Sequence, residues 1–147
     1  MTGVDTTSES AALFPGDWLS RLDAACTVLF VAVTLLAGAV GSEAVAVVNL
    51  VVCAALFLIG SALWTWGFLK AAGRSRDQII DLAGLFYLTG SAPRRVRRWL
   101  LGLWFAQIAT AVASIPLTSP PFGVMVPVFG IGVLTLWAAT RGTFPDR

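Results

Sequence analysis

The chain has 147 residues, 57% of them hydrophobic and only 12% charged, with a formal net charge of +2. Soluble domains carry about 25% charged residues, so this composition excludes an ordinary soluble fold: too little polar surface remains to cover one. Histidine is absent, which removes imidazole metal sites, catalytic triads and most general acid–base catalysis.

Residues 1–16 are small and polar, lack periodicity, and read as a disordered tail. The first 20 residues are acidic and Ser/Thr-rich, unlike the basic start of a cleavable signal peptide. Asp17 in "FPGDW" is placed to cap the first helix, its carboxylate accepting from free N–H groups of the next turn. Asp, Glu, Lys and Arg are then absent from residues 24–42, 44–69 and 99–140. A bilayer core of about 30 Å takes roughly 20 apolar residues per helix. The third run is therefore too long for one crossing. "IPLTSPPFG" at 115–123 divides it with three prolines and a glycine. Four spans follow, at about 24–42, 44–69, 99–117 and 122–140, within a membrane domain of 17–141 and before a short tail of 142–147. The runs are apolar all round, as helices in lipid must be, and lack the alternation of barrel strands. The expected fold class is an all-α integral membrane four-helix bundle.

Between spans two and three, residues 70–98 hold Lys70, Arg74, Arg76, Arg94, Arg95, Arg97 and Arg98 against only Asp77 and Asp81. The other two connections are short and carry Glu43 alone. By the positive-inside rule the basic loop is cytoplasmic, and four spans put both termini on the same side. All six tryptophans then lie towards that side, where interfacial anchoring favours them. Within the loop, residues 75–89 predict a short interfacial amphipathic helix. Gly73 is expected to end the preceding span in a left-handed cap, and Ser75 with Gln78 resembles a capping box. Leu85 and Leu88 fall on the polar arc of this helix, as contacts either for a partner or for the neighbouring bundle. Gly90 can end it, and Pro93 can start the next helix.

Arg94, Arg95, Arg97 and Arg98 share one arc of that next helix. One reading is a topology signal with general headgroup contact. The other is a binding site, with Leu85 and Leu88, for anionic lipid or an acidic partner. Without a general base or metal ligand set beside the arginines, catalysis on phosphate is not expected.

No ionisable side chain falls inside the four spans so drawn, and proton relays and ion-coupled transporters normally require one. The candidate intramembrane polar residues are Asn49, Gln107 and Thr110. They read as interhelical hydrogen bonders or as the lining of a small-molecule path. Asn49 and Gln107 lie at different depths, so a mutual bond is not expected. Cys26 and Cys53 form no C-x-x-C motif and should be too far apart in depth for a disulfide. Gly102, Ala106, Thr110 and Ala113 make a small-residue stripe, for close helix contact inside the monomer by default or else between protomers. Pro127 should kink span four or mark a late helix start, with Gly130 and Gly132 keeping that region adaptable.

The arginine-over-lysine bias, with "SALWTWGFLKAAGRSRDQI" and "YLTGSAPRRVRRWLLGLWFAQ", resembles small conserved membrane proteins of high-GC actinobacteria, mycobacteria included. The resemblance implies a plasma (inner) membrane location and brings no activity or site with it. The expectation is a non-enzymatic accessory or scaffold subunit of a membrane complex. Its partners would be anionic lipids and other membrane proteins or further copies of itself, without metal, cofactor or nucleic acid. The alternative is a small oligomeric transporter or channel for an uncharged or lipid-like solute.

Overall fold

The computed structural model describes residues 17–147; the tail expected over residues 1–16 lies outside them. Four helices in it are long and apolar enough to cross a membrane, the architecture of a multi-pass membrane protein. Helix α1 runs Trp18–Val40. Asp17 caps it as expected, one carboxylate oxygen accepting from the Leu19 N–H at 3.2 Å. The other oxygen pairs with Arg141 and ties the start of α1 to the end of the last helix. Gly41, at φ 64°, closes α1 in the left-handed conformation.

Helix α2, Glu43–Arg74, follows after a two-residue turn, with Ser42 accepting from the Val45 N–H. At 1.5 Å per residue it is about 48 Å long, more than a hydrocarbon core requires. Its last turns carry Lys70 and Arg74 and stay packed on the bundle, with Ala71 buried and Arg74 bonded to the Ala139 carbonyl. Gly73 does not end it: the helix continues to Arg74, and Ser75 caps it in the right-handed region. Nor does Ser75 form a capping box with Gln78. Its hydroxyl bonds back to the Ala72 carbonyl.

The interfacial helix expected over 75–89 is reduced to α3, Leu82–Phe86. The reason is competition for backbone partners. The Ile79 N–H donates to the Pro145 carbonyl, and the Arg147 N–H donates to the Asp77 carbonyl. The 142–147 tail thus folds back to pair with 77–79, and a helix forms only after Asp81 caps it through the Gly84 N–H. The expected faces hold only in part. Ile79, Leu82 and Tyr87 are exposed and Leu85 and Leu88 are buried, while Ile80 and Phe86 pack against the core. Leu88 is at φ 55° and Gly90 at φ 75°, so the chain turns sharply here.

Helix α4, Arg94–Leu117, starts at Pro93 and includes the arginine cluster in its first two turns. A short 3-10 segment, Phe122–Met125, precedes α5, Pro127–Arg141. Pro127 marks a late start, where its missing N–H costs nothing. Helix α5 is the centre of the bundle: the span it makes with the 3-10 segment, Phe122–Arg141, is 67% buried over its apolar stretch, against 22% in each of the other three. It packs most extensively on α2. A Cβ added at Gly60 would strike the backbone of Phe129 and Val128 in α5. One added at Gly67 would lie 2.7 Å from the Leu136 nitrogen. Gly132 faces Gly60 in turn, so it serves close packing where adaptability was expected.

Candidate functional site

Two clusters of buried polar side chains are linked by one face of α1. Gln107, fully buried near the middle of α4, is the hub of the first. Its Nε2 donates to Asp23 Oδ1 at 3.0 Å and to Thr27 Oγ1 at 2.8 Å. Its Oε1 accepts from the Gly130 N–H at 3.0 Å. That amide belongs to the first turn of α5, where N–H groups have no intrahelical acceptor. Gln107 therefore caps α5 from a neighbouring helix and joins it to α1. One turn before it, the Trp104 indole N–H donates to the Pro127 carbonyl at 3.1 Å and reinforces the same junction.

Asp23 corrects the expectation of spans free of ionisable groups. Helix α1 begins at Trp18, not at residue 24, and Asp23 lies fully buried inside it. Its Oδ2 has no hydrogen-bond partner among the described residues. A sequence signal was present. Asp23, Thr27, Phe30 and Thr34 recur at three- and four-residue spacing, which puts them on one helix face, and all four are buried.

Asn49 belongs to the second cluster. Its Oδ1 accepts from Thr34 Oγ1 at 3.4 Å and lies 3.7 Å from Cys53 Sγ. Asn49 also lines a cavity of about 210 Å³ with Ala37, Ser42, Leu117 and Pro120, at the end of the bundle away from the arginines. As expected, Asn49 and Gln107 do not meet. Phe30, fully buried, stands between Thr27 and Thr34 on the α1 face that joins the clusters. Thr110 belongs to neither: its hydroxyl donates to the Ala106 carbonyl of its own helix. Both cysteines are free.

At the basic end the arginines separate into roles. Arg94, Arg97 and Arg98 line a groove of about 480 Å³ with Leu101, Gly102 and Phe105. Arg97 is held there, its Nε donating to the Tyr87 carbonyl at 3.1 Å. Arg95 lies outside the groove. Leu85 and Leu88 are closed into the core beneath α3, so of their two readings the contact is with the bundle and not with a partner. Arg74, read from sequence only as a topology charge, has a structural role. It donates to the Ala139 and Gly142 carbonyls, each at 2.9 Å, and to Gln78 Oε1 at 2.7 Å. It thus satisfies carbonyls at the C-terminus of α5, where a cation is favoured by the helix dipole.

The small-residue stripe does not take the first of its two readings, a contact inside the monomer. Gly102, Ala106 and Ala113 are exposed on the outside of α4, and nothing lies within 4 Å of a Cβ placed at Gly102. Among the described residues, no other helix covers these three positions. Comparison with known proteins gives no match: no family model, curated protein or solved structure is similar to this chain.

Proposed function

We propose that this protein is a non-enzymatic accessory or scaffold subunit of a plasma-membrane complex, inserted with its arginine-rich end and both termini in the cytoplasm. The orientation rests on the positive-inside rule, and the resemblance to actinobacterial membrane proteins suits that location. The observation that carries the role is the outward face of α4 at Ala106 and Ala113, both exposed and both outside the groove that holds Gly102. Small residues one heptad apart on a helix let a second helix backbone approach closely. A photoreactive amino acid at Ala106 or Ala113, activated in native membranes, is expected to give a discrete protein adduct. The control is Val51 on α2, 60% exposed, which should give lipid adducts alone. Lipid adducts alone at all three positions would sink the proposal.

A second reading, a small oligomeric transporter or channel for an uncharged or lipid-like solute, is favoured by one observation. Asp23 is an ionisable group closed inside a span beside Gln107, and such groups commonly mark solute or proton paths. In proteoliposomes, Gln107→Leu or Asp23→Asn should then abolish a flux that the wild type supports. A flux indifferent to both substitutions removes this reading.

A further inference from the structure

We propose that the groove along the first three turns of α4 is a binding site for one anionic bilayer phospholipid, of the phosphatidylglycerol type. Its phosphate would lie among Arg94, Arg97 and Arg98, and an acyl chain would run along Leu101, Gly102 and Phe105.

The groove has an axis, and its chemistry changes along it. Positions 94, 97, 98, 101, 102 and 105 follow one face of a helix. The three guanidinium groups occupy the first two turns, and the apolar wall begins at the next. Over 11 residue steps the groove is about 16 Å long. A charged head at the membrane surface above a hydrocarbon chain has this order of polarity. A soluble phosphate compound would use the arginines and leave the apolar wall bare. An acidic protein segment would be out of place beside Leu101 and Phe105, which belong to the part of α4 that crosses the membrane.

The arginines are also available. Among the described residues the single ion pair is Arg141 with Asp17, so none of their carboxylates neutralises the groove. Arg97 gives its Nε to the Tyr87 carbonyl, which fixes the side chain and leaves its terminal nitrogens as donors. Guanidinium donors match phosphate oxygens in paired geometry. Preorganising one of the three reduces the entropy lost on binding.

Gly102 supplies the second half of the argument. In a helix interior glycine costs about 0.5–1 kcal/mol relative to alanine. Gly60 and Gly67 are needed for close packing on α5, but among the described residues nothing lies within 4 Å of a Cβ placed at Gly102. What its missing side chain does is keep the groove open between Leu101 and Phe105. The volume of about 480 Å³ falls within the range of small-molecule sites, roughly 300–1,000 Å³.

The test is native mass spectrometry of the full chain, delipidated and titrated with defined lipids in mild detergent. Phosphatidylglycerol should remain bound one per chain, and phosphatidylcholine, with the same phosphate but no net charge, should dissociate. Arg94→Gln with Arg98→Gln should weaken phosphatidylglycerol binding about fivefold for each arginine lost. Arg95→Gln, outside the groove, should change it little. Both paired arginines are exposed, so the fold should tolerate their loss. Gly102→Leu keeps every charge and fills the groove, and should also release the lipid. Equal retention of the two lipids would overturn the proposal. So would an Arg95→Gln loss as large as that of the pair, or undiminished binding in Gly102→Leu. Displacement by soluble glycerol 3-phosphate would overturn it too, since it would show a phosphate site with no acyl component.

Discussion

Gly60 on α2 and Gly102 on α4 have the same side chain, the same helical setting and opposite surroundings. Gly60 lies so close to α5 that a methyl group would meet the backbone of Phe129 and Val128. Gly102 faces outward with nothing near it. The first glycine allows two helices of the monomer to touch, and the second leaves space at the edge of the monomer. A small residue in a membrane helix therefore marks a possible close approach, without saying whether the approaching group belongs to the same chain, to another, or to lipid.

The sharpest way to break this contrast is to give both positions a side chain. Gly60→Leu should cost about 3 kcal/mol or more, since overpacking forces backbone to move. It should appear as a marked fall in the unfolding midpoint in detergent. An unchanged midpoint would mean that α2 and α5 are not in close contact. Gln107→Leu comes next. It removes the cap on Gly130 and strands the buried Asp23 carboxyl, at about 1–3 kcal/mol. Asp23→Asn in the same background should recover part of that loss. If the single substitution is neutral, the tight region is held by packing alone.

At Gly102 the sign should reverse. Gly102→Ala should raise stability by about 0.5–1 kcal/mol through helix propensity, where Gly60→Ala lowers it. Destabilisation of both would show that Gly102 is packed after all. The smallest expected effect is Arg141→Gln, at about 0.5 kcal/mol, because Arg141 is 46% exposed and its pairing with Asp17 only supplements packing at that end of the bundle. A large fall in midpoint there would mean that the ion pair, more than the glycine contacts, positions α5.

Much of the architecture was legible because it depends on local chemistry. Charge-free runs locate spans, Asp17 before an apolar helix is a cap, and Pro127 inside an apolar run delays a helix start. The loop failed where long-range pairing outweighed local pattern. The 142–147 tail takes the backbone partners of 77–79, so the amphipathic helix shrinks to five residues and Leu85 and Leu88 turn inward. Asp23 was missed for a related reason: a boundary drawn at the last charge assumes that charges lie outside the span. Gln107 was legible as an intramembrane polar residue, but its three partners lie 84, 80 and 23 residues away.

By itself, then, the sequence determined that the chain is helical, that four of its segments can cross a membrane, and that its basic charge gathers at one end. Hydropathy and charge are properties of single segments, and a bilayer reads them segment by segment. Only the tertiary structure decided that α5 is the central helix, that Gly60 is packed while Gly102 is open, and that Asp23 meets Gln107. The mean hydropathies of the four spans, 2.1, 2.5, 1.7 and 2.0, do not single out α5. Lipid tails are as apolar as leucine, so hydrophobicity cannot separate the inside of a membrane bundle from its outside. Close packing and the pairing of the few polar groups make that distinction, and both belong to the assembled bundle.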